Sequence, residues 1–246
     1  MVNTLEEGWK EIRIAAFLKR PAGQPARVHQ WSSREIPATS ARSVCVEMAS
    51  AEEFAASWRE WAARLGITMT AMITVLADGA KWIWNQASQQ FPSARGVLDI
   101  FHVLQHVADA TRNVYGEGSG ISSAWKDAAL RALLSDGWLG LCDWVGRWRD
   151  RCDPEHAKAV RAVTEALLGY LSNHSEHLGY CERLAKGKSI GSGPIEGACK
   201  YIIGRRLKRT GARWRRKSAV KMGTLCSTHY AGDWQAYWKA CPVLAI

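Results

Sequence analysis

The first part of the chain has apolar patterns of both strand and helix type. Residues 9–18 begin with alternating apolar and polar positions and then become continuously apolar, which predicts a strand with one covered face. Residues 42–48 form a second strand candidate. Ser50 and Glu53 then make a capping box, which predicts a helix start. Four large apolar side chains follow at helical spacing and predict an aromatic inner face: Phe54, Trp58, Trp61 and Leu65.

Two further strand candidates flank a short helix. Residues 70–77 are apolar and β-branched enough for a buried central strand, which the Asp78-Gly79 turn ends. A helix is predicted from about residue 81 to 90, and residues 95–100 read as another buried strand. Strand, helix and strand in this order indicate an α/β sheet.

The middle of the chain has helical periodicity instead. Leucines, valines and tryptophans recur there at three and four positions, and Gly and Pro fall in connections such as 116–118 and 153–154. Residues 102–186 are therefore predicted to form an all-helical insertion packed by tryptophans. The α/β core would comprise residues 1–101 and 187–246.

The net charge of +10 is concentrated in one segment. Ten Lys and Arg residues and no acid lie between Lys200 and Lys221, whereas the rest of the chain has 23 basic and 23 acidic residues. Such a surface attracts a polyanion, usually nucleic acid, because each neutralised phosphate releases condensed counterions. The alternative is a solvated helix face. Tyr201 and Trp214, interleaved with the cations, favour a surface that also touches sugar and base. The predicted phosphate contacts are Lys200, Arg205, Arg206, Lys208, Arg209, Arg213, Arg215, Arg216, Lys217 and Lys221.

Composition excludes several classes of protein. With 47% hydrophobic residues the chain can bury a large core, so general disorder is excluded. Seven scattered cysteines without a C-x-x-C pair suit buried thiols in a reducing cytoplasm better than a disulfide framework. No signal-peptide pattern opens the chain, and no run approaches about eighteen consecutive apolar residues. We therefore expect a soluble, cytoplasmic protein without a membrane partner.

Two carboxylates have the placement of metal ligands. Asp78 ends a predicted strand, where α/β sheets hold ligands, and Glu196 opens a helix that leads into the cationic segment. Each also has an ordinary structural explanation, since Asp before Gly is common in turns and an acid in the first helical turn complements the macrodipole. Together they would place oxygen ligands for Mg²⁺ or Mn²⁺ beside a phosphate-binding surface, as two-metal phosphoryl transfer requires.

Several motifs, in order along nearly the whole chain, resemble the ISKra-type bacterial insertion-sequence transposases, relatives of the Mutator-like group. The matching segments are LADGAKWIWN at 76–85, FP at 91–92, LDIFHVLQH at 98–106, GSGPIEGACK at 191–200, RLKRTGARW at 206–214 and GDWQAYW at 232–238. The resemblance implies an RNase H-like catalytic core with an Asp-Asp-Glu triad, interrupted by a helical insertion before the glutamate. It also implies Mg²⁺-dependent cleavage and strand transfer of double-stranded DNA at the ends of a mobile element.

The resemblance assigns roles to individual residues. Asp78 matches the second aspartate of the triad and Glu196 its glutamate, so these two would be the metal ligands. Asp99 and His102 match an auxiliary D-x-x-H signature. On the residues alone, Asp99 is a helix N-cap. His102 and His106 are two imidazoles on one helix face, where either hydrogen bonding or a zinc site is possible.

The first aspartate of the triad has no counterpart. In the family it lies on a strand that precedes residues 9–12, in an Asp-Gly context, and none of the first eight residues here is aspartate. We therefore expect a truncated copy that binds DNA without cutting it. One alternative is a non-catalytic DNA-binding remnant that keeps the fold. Another is a helical interaction protein whose tryptophan-rich block serves a partner, including another protomer.

Overall fold

The computed structural model describes residues 1–68 and 71–240, which form a mixed α/β structure with three separate two-stranded sheets. The strands of this part are β1 (Val2–Thr4), β2 (Gly8–Lys10), β3 (Arg13–Lys19), β4 (Ala41–Glu47), β5 (Thr74–Ala77) and β6 (Arg95–Leu98). The helices are α1 (Ala51–Ala56), α2 (Trp58–Arg64), α3 (Lys81–Gln90), α4 (Ile100–Tyr115), α5 (Gly120–Arg151), α6 (Ala157–Ser172), α7 (Tyr180–Ala185), α8 (Gly193–Ala198), α9 (Arg216–Ala231) and α10 (Trp234–Ala240). A π-helical segment, Cys199–Leu207, continues α8 directly.

Helices cover both faces of the antiparallel ribbon formed by β3 and β4. Ile14 pairs with Val46, and both side chains face a cluster shared with the π-helical segment and α9. Ala15 pairs with Cys45, and these side chains face the opposite cluster, which includes residues of α1, α2 and α3. Because successive side chains of a strand point to opposite faces, both faces carry apolar residues. The prediction of one covered face for residues 9–18 is therefore wrong.

The beginning of that predicted strand belongs to a different element. β2 contains Trp9 and pairs with β1 in a hairpin that lies beside the cationic segment. The backbone of Trp214 connects the two, since its N–H donates to the Asn3 carbonyl at 3.0 Å and its carbonyl accepts from the Leu5 N–H at 2.9 Å. The hairpin therefore braces the loop between the π-helical segment and α9.

Strands β5 and β6 are parallel and are connected by α3, in the predicted order of strand, helix and strand. The predicted helix at 81–90 is confirmed. The predicted strand at 70–77 is confirmed from Thr74 onward, and its first residue, Thr70, lies outside the described residues. Within the described part, β5 pairs only with β6, so it is not a central strand and the expected continuous sheet is not formed there. The strand predicted at 95–100 ends at Leu98, because the next residue caps α4.

The capping box at Ser50 and Glu53 is confirmed, and each side chain bonds the other residue's backbone N–H. The helix that it starts is shorter than the pattern predicted. It ends at Ala56, and after the single residue Ser57 a second helix, α2, begins at Trp58. Phe54 and Trp58 are buried, so the aromatic inner face is distributed over two helices.

Residues 102–186 are helical, as predicted, and tryptophans pack their centre. Trp144 and Trp148 are fully buried, and their indole N–H groups donate to the Trp125 carbonyl at 3.0 Å and to the Tyr115 hydroxyl at 2.9 Å. The same cluster includes residues at the end of β6, so the predicted boundary at residue 101 falls within a continuous core and inside α4. Among the described helices, none has the combined length and apolar character needed to cross a bilayer.

One glycine bends the longest helix. Gly137 of α5 has φ 56° and ψ −123°, a conformation that glycine adopts and other residues avoid. A Cβ at this position would lie 2.6 Å from the Leu178 carbonyl oxygen, so the bend also allows a close backbone approach. The expectation that glycines are confined to connections is therefore wrong here, and α5 forms a hairpin within one element.

The expectation of buried thiols holds for two of the six cysteines that the structure describes, and Cys181 is exposed. All six cysteines in the described residues are free thiols, and Cys45 and Cys226 are buried. Burial raises the pKa of the Cys45 thiol to about 12. This side chain is therefore a packing residue between β4 and α1, with no nucleophilic character at neutral pH.

Candidate nucleic-acid interface and carboxylate site

Asp99 joins the end of β6 to the loop that begins α8. One carboxylate oxygen accepts from the Phe101 N–H at 2.7 Å, which caps α4. The other accepts from the Ser192 N–H at 2.9 Å and from the Ser192 hydroxyl. Asp99 is only 4% exposed, so these bonds replace the water that the charge loses. Gly191 permits the approach, because a Cβ there would lie 2.8 Å from the Phe101 ring.

The N-cap interpretation of Asp99 is thus confirmed, and both of its oxygens have intramolecular donors. This carboxylate is a poor candidate for a metal ligand, since a cation would have to displace the bonds that hold the loop. The contact with Ser192, which lies 93 positions away, could not be predicted from local sequence patterns.

Asp78 and Glu196 are both exposed. Asp78 follows β5 directly, and one of its oxygens accepts from the Ala80 N–H at 3.0 Å in a tight turn. Glu196 lies in the first turn of α8, with a carboxylate oxygen 3.8 Å from the Lys200 ammonium group. Asp78 and Asp99 follow paired residues of β5 and β6, so they lie at the same edge of the small parallel sheet, as expected for a strand-end site.

The three carboxylates do not assemble a cluster. Among the described residues, only one group of three or more His, Cys, Asp or Glu side chains has ligand atoms within 4.8 Å of one another, and it is a mainly exposed group elsewhere: Asp153, Glu155 and His156. Oxygen ligands suit Mg²⁺ and Mn²⁺ chemically. The arrangement of Asp78, Asp99 and Glu196 does not fit a shared ion, however, and we derive no reaction step through one.

A cluster of histidines and a tyrosine covers the turn after β5. Tyr170 of α6 lies against Gly79, where a Cβ would be 1.6 Å from the tyrosine hydroxyl. The Gly79 backbone is also within hydrogen-bonding reach of His174. His102 Nε2 lies 3.1 Å from the Tyr170 hydroxyl oxygen and 3.2 Å from His106 Nε2. The predicted pairing of the two imidazoles on one face of α4 is confirmed.

Burial determines the charge state of this cluster. It lowers the pKa of His106, and the neighbouring His102 ring lowers it further. Burial also lowers the pKa of His174. The pKa of Tyr170 is raised by burial first and then by the negative charge of Asp78. These pKa shifts favour the neutral forms of His106, His174 and Tyr170 at neutral pH. Sequence spacing does not indicate Tyr170 or His174, because Tyr170 lies in α6 and His174 just after it, and this helix begins more than 50 residues after His102.

All ten Lys and Arg residues of the segment 200–221 are exposed, which defines a basic surface on the π-helical segment, the following loop and α9. None of them faces the core. Within the described residues, only Lys200 and Arg216 have a carboxylate oxygen within 4.0 Å, on Glu196 and Glu7 respectively. The other eight cations of the basic surface have no acidic neighbour in this part of the chain.

Three arginines of the basic surface also bond to the backbone. Arg209 donates to the Arg205 carbonyl at 2.9 Å, within the surface itself. Arg213 donates to the Leu5 carbonyl at 3.3 Å, and Arg216 donates to the Met48 carbonyl at 2.7 Å. These bonds fix the surface to the β1–β2 hairpin and to the end of β4. A cleft of about 260 Å³ lies in the basic surface, and its lining residues are Arg205, Arg206, Arg209, Trp214 and Met222.

The aromatic residues of the segment have intramolecular partners. The Trp214 indole N–H donates to the Leu207 carbonyl at 3.2 Å. Tyr201 stacks on His229, with ring centroids 5.9 Å apart, and its hydroxyl lies 2.8 Å from His229 Nδ1. Both rings pack partly against the core below, so the accessible part of the surface is cationic more than aromatic. This arrangement suits contact with phosphates better than the expected contact with bases.

Comparison with known proteins identifies no relative. No family model, no curated protein and no solved structure matches this chain. The function is therefore inferred from the residues and their arrangement.

We predict that Asp99→Ala destabilises the fold by about 2 to 4 kcal/mol, because it removes the acceptor of the Phe101 N–H and of the Ser192 N–H and hydroxyl. Urea unfolding followed by tryptophan fluorescence measures this change. Asp127→Ala removes an exposed carboxylate from α5 and is the matched control, expected within about 0.5 kcal/mol of the parent. Equal unfolding free energies for the two variants would show that the Asp99 bonds do not hold the loop.

Proposed function

We propose that the protein binds double-stranded DNA through the basic surface and is related in function to insertion-sequence transposases. The observation that carries this proposal is the exposure of all ten cations in one segment, eight of them without a carboxylate oxygen within 4.0 Å in the described residues. Ion pairs would have neutralised a merely solvated helix face. Unpaired cations are free to neutralise phosphates and release their counterions.

The charge distribution of the whole chain supports the same surface. Outside residues 200–221 the 23 basic and 23 acidic residues balance, so the net charge of +10 equals the charge of this one segment. Arg213 and Arg216 donate hydrogen bonds to backbone carbonyls, and these bonds hold in place the backbone that carries the other cations of the basic surface. A rigid cationic surface without accessible base-reading aromatic rings favours binding that is largely independent of DNA sequence.

Fewer observations support the DNA cleavage that the resemblance to transposases implies. Asp78 and Glu196 are exposed carboxylates and are our candidates for Mg²⁺ or Mn²⁺ ligands. Two-metal cleavage of a phosphodiester needs a carboxylate that bridges both ions. Asp99, the remaining acid at this edge, accepts hydrogen bonds with both oxygens. This observation favours a second candidate function, that of a DNA-binding protein without catalysis.

Salt dependence tests DNA binding at the basic surface. If about five of the ten cations reach phosphates, log affinity for a duplex falls with log salt at a slope of roughly −4 to −5. Replacing Arg205, Arg206 and Arg209 by Gln removes up to three contacts and makes the slope shallower by roughly 2 to 3, as measured by fluorescence anisotropy.

The matched control is the triple variant Arg131→Gln, Arg147→Gln and Arg151→Gln. It removes the same charge from exposed positions of α5, without an ion pair among the described residues. We expect its slope to equal that of the parent. If both triple variants change the slope equally, net charge and not the basic surface controls binding.

A nicking assay separates the two candidate functions. We predict that the 246-residue chain binds supercoiled DNA but does not nick it in Mg²⁺ or Mn²⁺, because Asp78, Asp99 and Glu196 do not form a shared ligand group. Nicking that Asp78→Ala and Glu196→Ala abolish, with DNA affinity unchanged, would contradict this prediction and establish the enzyme.

A further inference from the structure

The histidine and tyrosine cluster at the turn after β5 has a geometry that hydrogen bonding alone does not satisfy. His102 Nε2 has two partners at contact distance, the Tyr170 hydroxyl oxygen at 3.1 Å and His106 Nε2 at 3.2 Å. A neutral imidazole nitrogen offers either one hydrogen or one lone pair. It can therefore complete one of these two contacts as a conventional hydrogen bond, and the other is left without one.

The two separations from His102 Nε2 match the edge length of a metal coordination tetrahedron. For zinc, bond lengths of about 2.0 to 2.1 Å and tetrahedral angles place neighbouring ligand atoms roughly 3.3 Å apart. The two histidines are four positions apart on α4, the spacing at which two imidazoles on one helix face bind a single ion. Both histidines and Tyr170 are half-buried, so an ion would have access from solvent and still be shielded from competing water.

The third group is held from a different element. Tyr170 comes from α6, and its hydroxyl is fixed against Gly79, where any larger residue would displace it. The cluster is thus assembled from α4, α6 and the turn after β5. Such support on three sides is what keeps ligands in place before an ion binds.

We propose that His102, His106 and Tyr170 form a binding site for one divalent cation of the zinc class, with the two imidazole Nε2 atoms as ligands and the tyrosine oxygen as the third. Imidazole ligands select zinc, nickel or cobalt over magnesium and calcium, which take oxygen ligands. The site is distinct from the carboxylates of Asp78 and Glu196, and it does not depend on the proposed DNA binding. A bound ion would add positive charge beside Asp78 and connect α4 to α6.

Zinc titration of the metal-free 246-residue protein tests the site. Isothermal titration calorimetry is expected to give one equivalent that His106→Ala weakens by roughly 100-fold or more, since even the loss of an outer-shell partner costs about 10 to 100-fold. Tyr170→Phe keeps the ring and is expected to weaken zinc by about 10-fold or more. Zinc should also raise the melting temperature of the parent and leave that of His106→Ala unchanged.

The matched control is His156→Ala, which disrupts the other group of possible ligands, Asp153, Glu155 and His156. It should bind zinc like the parent. Co²⁺ added as a spectroscopic probe should give no thiolate charge-transfer band, because the site contains no cysteine. The proposal is overturned if His106→Ala, shown by circular dichroism to be folded, binds zinc as tightly as the parent. Loss of binding in His156→Ala alone, or a thiolate band that remains in His106→Ala, would also overturn it.

Discussion

The carboxylate of Asp99 holds together the parts of the molecule that lie far apart in sequence. It follows β6 directly, caps α4 and accepts hydrogen bonds from Ser192. A single buried charge therefore connects the start of the helical block to the loop that follows the block. Three donors compensate its desolvation, and the Gly191 backbone comes close enough only because it lacks a Cβ. This contact holds the residue before α8 in place. It therefore helps to position α8, the π-helical segment and the basic surface that follow.

The chain that follows the helical block meets a buried acid before α8 and carries a series of cations after it. Before α8 the backbone bonds to a buried acid, and after it the chain carries only cations until the end of the basic surface. Glu196 stands between the two, exposed and within reach of Lys200. Glu196, which the sequence suggests as a catalytic residue, therefore lies at the border of the surface proposed to bind DNA. A second carboxylate, Asp78, lies at the end of β5, and among the described residues neither acid belongs to a group of three or more clustered ligand side chains.

Local patterns predicted the local structure well. The capping box at Ser50 and the helix at 81–90 follow from side-chain chemistry and periodicity within a few residues, and the helical block at 102–186 follows from repeated apolar spacing. The sheet was predicted less well, because strand pairing depends on long-range partners: β5 has the composition of a central strand, yet within the described residues it pairs only with β6. The bend at Gly137 was missed because the apolar spacing continues through it.

The residues of the candidate sites also fall into two groups, those that local sequence predicts and those that only the packing brings together. The exposure of the ten cations followed from their density, since so many charges in one segment cannot be buried. The roles of Asp99 as a cap and of His102 with His106 as a pair followed from spacing along one helix. Ser192, Tyr170 and His174 could not be predicted, because only the packing of α6 and the return of the chain to β6 bring them to the strand ends.

Lysine footprinting locates the DNA most directly. Acetylation of the folded protein with and without a duplex, read by mass spectrometry, reports the accessibility of each lysine at low salt, where phosphate contacts are strongest. The account predicts protection of the four lysines of the basic surface, Lys200, Lys208, Lys217 and Lys221, while Lys126 and Lys158 on the helical block keep their reactivity. Protection of the helical block with no change on the basic surface would contradict the proposed interface.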